Sequence, residues 1–219
     1  MLQPKICLLT FLMLSAPGLA QAVDKLDIAD FSRGADAQGM PYEWQLKEKS
    51  GHADFALVRS EGLHVLQLRS ANTSYSFQRR VQVDVRQYPM LSWKWKVTRL
   101  PQGGDFRRTK TDDQAAQLFV AFTKTRAMVY LWDTSAPQGL MQDAPAPPFM
   151  TIKAVVVRSG PAELGKWLTE TRNVYEDYKK VYGDKGQAPV VSGMRLQINT
   201  QHTGTAAECA FADLMFRSQ

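Results

Sequence analysis

The sequence predicts an all-β fold, a two-sheet antiparallel β-sandwich, and three observations support this prediction. Short segments in which apolar and polar residues alternate recur along the chain, which is the period of a strand with one buried face. Gly or Pro occurs in most connections between these segments. A helical pattern is convincing only near residues 174–182. Many short strands with one short helix are typical of a β-sandwich.

The first 22 residues have the pattern of a secretory signal peptide. Lys5 supplies a positive charge, residues 6–14 form an apolar run, and residues 20–22 read Ala-Gln-Ala, the A-x-A form of a cleavage site. The apolar run is too short to span a bilayer comfortably. We therefore expect cleavage before Val23 and a periplasmic or secreted protein without stable membrane insertion afterwards.

Residues 23–219 are expected to form a single domain, because their number is typical of one domain with a substantial core. Cys209 is the only cysteine in this part, so no disulfide bond can form within it, and its apolar neighbours predict a buried side chain. The whole chain carries a formal net charge of +6. No run of five or more basic residues occurs, so we expect no nucleic-acid partner.

Strand patterns begin directly after the predicted cleavage site and continue through the first half of the chain. They comprise residues 23–31, a segment that begins at Trp44, and residues 55–58, 63–68, 75–85 and 91–98. Ser60-Glu61-Gly62 separates the third segment from the fourth and predicts a hairpin. The apolar phase changes at residues 78–80, where we expect a β-bulge.

The second half continues the strand pattern with two exceptions. Its strand segments are residues 114–124, 127–132, 150–157, 167–172, 190–199 and 206–216. Residues 133–149 contain four of the eleven prolines and predict a Pro-rich loop, either a functional flap or a disordered excursion. Asn173 followed by Glu176 predicts a capping box that opens a helix, and Gly183 is expected to end it.

Motifs of the common catalytic and metal sites are absent from the sequence. His52, His64 and His202 are isolated, and no C-x-x-C pair, P-loop, dinucleotide fingerprint or G-x-S-x-G motif occurs. The sequence therefore predicts no cofactor and no metal ion.

Residues 91–122 contain the densest group of candidate binding residues. Two lysines alternate with buried tryptophans, so they form either a solvated face or the floor of a cleft for an anionic or hydroxylated polymer. The charged loop that follows is either an ion-pair network or a ligand contact, and its adjacent acids would also offer oxygen ligands to calcium, although the EF-hand spacing is missing. The candidates are Lys94, Lys96, Asp105, Arg108, Asp112 and Asp113.

A second group of candidates lies around the predicted helix. An ionised carboxylate beside an arginine can accept hydrogen bonds from sugar hydroxyls, or act as a base if it is desolvated. The alternative is helix capping and a structural salt bridge. A tryptophan near the Pro-rich loop belongs either to the core or to a sugar-stacking surface. These candidates are Trp132, Glu170, Arg172, Asn173 and Asp177.

Seven motifs occur in order along nearly the whole predicted mature chain. They are WKWKV, LPQGGD, DDQAA, VVVRSG, GKW, ETRNVYEDY and NTQHTGTAAECAFADLMF. In this combination they resemble the secreted bacterial family known as domain of unknown function 3047. The resemblance implies secretion and a single domain, but it implies no reaction.

Three shorter segments resemble a broader class of folds. These are Asp30-Phe31, residues 165–173 and Ala212-Asp213-Leu214. They are similar to segments of galactose-binding-like jelly rolls such as carbohydrate-binding modules, so the resemblance implies a jelly-roll sandwich. Ala212 stands where that pattern usually has glycine or aspartate, which does not favour a calcium site near Asp213.

Together these observations predict a ligand-binding protein whose partner is a carbohydrate or an anionic envelope polymer. Two alternatives remain. One is a polysaccharide-active enzyme, either a lyase or a glycoside hydrolase with two carboxylates about 5 to 10 Å apart. The other is a non-catalytic structural or interaction protein. The hydrolase candidates are Asp105, Asp113, Glu170 and Asp177. The binding hypothesis requires Lys96, Asp112 and Glu170 to share one hollow.

Overall fold

A computed structural model describes residues 25–183 and 190–219, and its strands form two packed sheets. The predicted signal peptide lies outside the described residues. The strands are β1 (Lys25–Ala29), β2 (Gln45–Ser50), β3 (Asp54–Ser60), β4 (Leu63–Ala71), β5 (Ser74–Asp84), β6 (Met90–Arg99), β7 (Ala116–Ala121), β8 (Arg126–Asp133), β9 (Met141–Ala144), β10 (Thr151–Ser159), β11 (Leu168–Asn173), β12 (Val190–Asn199) and β13 (Ala206–Arg217). Helix α1 spans Val174–Tyr182, and 3-10 turns span Phe31–Arg33 and Thr109–Thr111.

The sheets have different strand orders. The six-stranded sheet has the order β11-β6-β13-β4-β3, with β1 beside β13, and the seven-stranded sheet has the order β2-β5-β12-β7-β8-β10-β9. All strand pairs are antiparallel except β8 with β10. The architecture confirms the predicted two-sheet jelly-roll sandwich with one helix at residues 174–182. No helix in the described ranges is long and apolar enough to cross a membrane.

Aromatic side chains fill the space between the two sheets. Trp93 and Trp95 of β6 face Tyr130 and Trp132 of β8, with ring centroids 5.3 Å apart for Trp93 and Tyr130 and 5.8 Å apart for Trp95 and Trp132. All four rings are fully buried. Large buried aromatic rings dominate the hydrophobic contribution to stability in a core of this kind. Cys209 is also buried in this core, as predicted.

A second apolar cluster lies on the outer face of the seven-stranded sheet. It includes Phe106, Phe119, Leu131 and Ile152, and Leu140 and Ala144 of the Pro-rich segment pack against it. The prediction that residues 133–149 are entirely loop is therefore wrong, because β9 forms inside this segment and pairs with β10. Residues 141–144 lack proline, so their backbone can bond to the otherwise open edge of β10.

Two local predictions concern the geometry of the early strands. Glu61 and Gly62, both with positive φ, form the tight turn between β3 and β4, which confirms the predicted hairpin. A bulge interrupts the pairing of β5 with β12 between Arg80 and Val83, just beyond the predicted position at residues 78–80. The change in apolar phase therefore predicted the bulge correctly but placed it a few residues too early.

Both predicted ends of the helix are confirmed. Asn173 Oδ1 accepts a hydrogen bond from the Glu176 backbone N–H at 3.0 Å. Gly183 ends the helix in the left-handed conformation with φ 64°, and its N–H donates to Lys179 O at 2.9 Å. Val174 and Tyr178 bury the inner side of the helix, so capping and packing agree.

We predict that Asn173→Ala lowers the free energy of unfolding by about 1 kcal/mol, because the Glu176 N–H loses its acceptor. Denaturant unfolding monitored by circular dichroism measures this change. Asn173→Asp keeps an acceptor oxygen and should retain nearly full stability. Equal stability of Asn173→Ala and the wild type would contradict the capping role.

Candidate functional site

Lys94 and Lys96 lie on the outer face of the six-stranded sheet, where each has a carboxylate partner. Lys94 Nζ donates to Asp213 Oδ2 at 2.7 Å, and Lys96 Nζ donates to Glu61 Oε1 at 2.6 Å. Lys96 also lies 5.4 Å from the centre of the Trp167 ring. The pairing matches the alternative in which this face is solvated and its charges are structural.

Asp105 and Asp113 hold loops in place. Asp105 accepts two hydrogen bonds from the Arg107 guanidinium, both at 2.8 Å, and these hold the pKa of Asp105 below its usual value. Asp113 is fully buried and accepts from the Thr203 backbone N–H at 2.6 Å and from Asn199 Nδ2 at 3.1 Å. Asp113 therefore fixes the turn after β12. Arg108 is exposed in the same loop as Asp105.

Glu170 and Trp132 face the interior. Glu170 Oε1 accepts hydrogen bonds from Arg158 Nε at 2.7 Å and from Trp95 Nε1 at 3.1 Å. Trp132 has no exposed surface to offer to a ligand, and its Nε1 donates to Gly160 O at 3.1 Å. Both residues therefore belong to the structural framework.

The remaining candidates join β11 to α1. Arg172 donates to both oxygens of Asp177, at 2.8 and 2.6 Å, and Tyr130 OH donates to the same carboxylate at 3.0 Å. Asn173 serves as the helix cap. These contacts match the alternative stated from the sequence, in which the residues form a structural salt bridge and cap the helix.

The structure does not bring Lys96, Asp112 and Glu170 into one hollow. Glu170 pairs in register with Trp93, so both side chains point to the core, whereas Lys96 points outward because strand side chains alternate. Asp112 opens onto the outer face of the other sheet. The four acids considered for a hydrolase also have separate partners, and none of them lines the groove described next.

The outer face of the seven-stranded sheet carries a groove that the sequence analysis missed. Its middle row consists of residues that stand directly opposite one another on neighbouring strands: Gln45, Gln78, Arg195, Phe119, Val129, Ala154 and Gln142. Amide and guanidinium groups occupy one half of this row, and apolar side chains occupy most of the other half. A readable signal was the alternation in β12, where Gly193, Arg195, Gln197 and Asn199 alternate with buried apolar residues.

Small residues deepen the groove beside the middle row. Gly193, Ala121 and Ala127 stand opposite one another on β12, β7 and β8. Arg80 and Met150 also line this part, which has a volume of about 540 Å³. Because Gly193, Ala121 and Ala127 carry no large side chains, the surface is lower here and forms the deeper part of the groove.

Amide side chains on the other side of the middle row form a hydrogen-bonded ladder. Gln197 Nε2 donates to Gln117 Oε1 at 3.4 Å, and Gln117 Nε2 donates to Asn199 Oδ1. Asn199 Nδ2 donates to Asp113 Oδ1 at 3.1 Å. The buried Asp113 carboxylate therefore sets the orientation of the amides along the groove.

Arg195 is the most unusual charge in the groove. Its guanidinium lies 3.6 Å from the centre of the Phe119 ring, and no carboxylate of the described residues forms an ion pair with it. Burial lowers the pKa of Arg195 to about 10. The group remains charged at neutral pH and offers a planar fork of donors to a bound acceptor.

Asp112 lines a smaller compartment of the same face, with a volume of about 190 Å³. Burial raises the pKa of Asp112 to about 6, and Gln114 Nε2 donates to its Oδ1 at 3.2 Å. Lys49 and Arg195 line the same compartment. Within residues 25–183 and 190–219, no group of three or more His, Cys, Asp and Glu side chains is arranged to hold a metal ion.

We predict that Glu170→Ala lowers the free energy of unfolding by about 3 kcal/mol, because the Arg158 guanidinium and the Trp95 N–H lose their acceptor. Chemical denaturation of the purified variant measures the loss. Glu176→Ala, which removes an exposed helix carboxylate, is the control and should change stability by less than about 0.5 kcal/mol. A stable Glu170→Ala variant would show that the carboxylate is not a structural anchor.

We predict that Asp112→Asn stabilises the protein above pH 6. The raised pKa means that the folded state binds the Asp112 proton more tightly than the unfolded state does, so stability falls as pH rises from about 4 to about 6. The variant should gain about 1 to 2 kcal/mol at pH 8 and nearly nothing at pH 4. Unfolding curves at both pH values test this, with Asp27→Asn as the exposed control. A gain of equal size at both pH values would contradict it.

Comparison with solved structures finds several with backbone similarity to this protein. The xyloglucanase domain of NopAA from Sinorhizobium fredii, solved with cellobiose, is 6% identical, and the match covers 80% of this chain and 94% of that one with a TM-score of 0.49. Endoglucanase cel12A from Rhodothermus marinus is 8% identical over 89% and 96%, with a TM-score of 0.48. The family 11 carbohydrate-binding module of the Clostridium thermocellum cellulase Lic26A-Cel5E is 8% identical over 89% and 95%, with a TM-score of 0.46.

Sequence comparisons point to one family. Functionally curated proteins give no significant match. The family model described as protein of unknown function (DUF3047) matches residues 42–215, which is most of the chain and includes every strand that lines the groove. The protein therefore belongs to the DUF3047 family.

Proposed function

We propose that this protein is a secreted or periplasmic glycan-binding protein that holds a sugar chain in the groove of the seven-stranded sheet. The observation that carries the proposal is the middle row, in which Gln45, Gln78 and Arg195 present amides and a guanidinium beside an apolar surface. Ligand sites typically combine a largely apolar lining with a few placed polar groups.

The amides suit hydroxyl groups. A glutamine side chain offers two N–H donors and a carbonyl acceptor, and a hydroxyl can donate and accept. The ladder formed by Gln197, Gln117 and Asn199 uses some of these groups internally, so the remaining ones keep a fixed direction. Preorganised donors and acceptors reduce the entropy cost of binding.

The shape suits a chain of sugars. The deeper part of the groove crosses five strands, from Gln45 on β2 to Ala127 on β8. Neighbouring strands are about 4.8 Å apart, so this part is about 20 Å long. Its floor of Gly193, Ala121 and Ala127 leaves room for the C–H face of a sugar ring. The groove therefore fits an oligosaccharide better than a single sugar.

The secreted location is part of the proposal and rests on the sequence pattern of residues 1–22 and on the family resemblance. Cell fractionation and N-terminal sequencing of the native protein test it. A mature chain that begins near Val23 supports it, and a retained N-terminus in a cytoplasmic fraction refutes it.

We predict that Gly193→Phe abolishes glycan binding, because the new ring fills the groove floor. A Cβ atom at position 193 would meet only ordinary contacts, with Arg79 O at 3.5 Å and Ala121 Cβ at 3.9 Å, and the ring beyond it would extend into the groove, so the variant should fold. Gln78→Ala should weaken binding about tenfold, which is the loss of one to two hydrogen bonds. A glycan array followed by isothermal titration calorimetry measures both effects.

Lys96→Ala is the matched control on the opposite sheet and should bind like the wild type. Circular dichroism and thermal unfolding establish that each variant is folded. Binding that survives Gly193→Phe but disappears in Lys96→Ala would place the site on the six-stranded sheet and refute the groove. Absence of binding to any glycan on the array would refute the proposed function itself.

A further inference from the structure

Three cations on the outer face of the six-stranded sheet have acidic partners, whereas four cations on the groove face have none among the described residues. On the six-stranded sheet, Lys94 pairs with Asp213, Lys96 with Glu61, and Arg69 with Asp54. The groove face carries four cations that form no ion pair with any described residue: Lys47, Lys49, Arg80 and Arg195. These four cations of the groove face therefore lack a carboxylate partner in the described part of the chain, although Arg79, which also lines the groove, pairs with Glu43.

Arg195 is the centre of this unpaired charge. It is only partly exposed, and Phe119 covers one face of its guanidinium at 3.6 Å. Removing a cation from water without an anionic partner costs free energy, and a bound anion would recover much of that cost. The aromatic ring also fixes the plane of the guanidinium, so its donors point in a defined direction.

We infer that the ligand of the groove is an acidic polysaccharide and that Arg195 binds a sugar carboxylate through its planar fork. The inference rests on the proposed function and specifies its ligand class. A guanidinium matches a carboxylate in charge and shape and can donate two parallel hydrogen bonds to it. Two neighbours of Arg195 within the groove, Gln78 and Gln197, are neutral amides and suit the hydroxyl groups of the same sugar.

The other cations fit a repeating charge. Arg80 of β5 stands opposite Gly193 of β12, two residues before Arg195. Side chains in this diagonal relation on neighbouring strands are about 7 to 8 Å apart. Lys47 stands opposite Ser76, which is itself opposite Gln197, so it lies on the other side of the middle row. A polymer with a carboxylate on each sugar would contact cations along the groove, whereas a neutral glycan would leave them unpaired.

The test compares each acidic polymer with its own neutral form. Oligomers of polygalacturonate, alginate and hyaluronate are titrated against the purified protein, together with the same oligomers after reduction of their carboxylates to alcohols. We expect at least one acidic oligomer to bind, and its reduced form to bind at least tenfold more weakly. Arg195→Gln should bring the two affinities within about twofold, which corresponds to a loss of about 1 kcal/mol or more of discrimination. Arg59→Gln, a change at an exposed arginine of β3, is the matched control and should keep the discrimination.

Three outcomes separate the inference from the proposed function. If neutral glycans or the reduced oligomers bind as tightly as the acidic ones, the groove binds glycans but the inference of acidic specificity is refuted. If dextran sulfate competes as well as the best uronate oligomer, the face attracts anions without recognising a carboxylate, and the inference is again refuted. If neither neutral nor acidic glycans bind, both the inference and the proposed function fail.

Discussion

The packing of Trp93 and Trp95 against Tyr130 and Trp132 fixes the rest of the structure, because it joins β6 of one sheet to β8 of the other. Strand side chains alternate, so turning these rings inward also decides which residues turn outward. Lys94 and Lys96 must then face solvent on one side of the sandwich, and Val129 and Leu131 of β8 must face outward on the other side. The packing of the core therefore determines which side chains line the groove.

Buried carboxylates act as anchors at the margins of this core. Glu170 joins β11 to β10 and to the indole of Trp95, Asp177 joins α1 to β11 and β8, and Asp113 holds the turn after β12. Each buried charge is satisfied by several donors, which is the condition under which such groups are tolerated. Asp113 also contacts the groove, because the amide ladder begins at its carboxylate.

The two outer faces therefore have different physical characters. One presents Lys94 and Lys96, which are already paired with carboxylates, and Lys96 also lies over the Trp167 ring. The other presents a depression with a small-residue floor, oriented amides and unpaired cations. Stability accounts for the first arrangement. The second leaves the partly buried guanidinium of Arg195 without a carboxylate partner from the residues that the structure describes, which folding alone does not require.

The sequence by itself determined the strands other than β9, the hairpin at Glu61-Gly62 and the capped helix, because these depend on the period of apolar residues and on local turn chemistry. Its motifs also determined the family. It also identified Asp113, Glu170 and Asp177 as candidate charges and left both a structural and a ligand-binding role open for them. Only the tertiary structure decided that β12 lies between β5 and β7, which places Arg195 opposite Gln78 on one side and Phe119 on the other. The order of strands and the packing of one sheet face on the other depend on contacts between residues far apart in the chain. A local sequence pattern cannot predict such contacts.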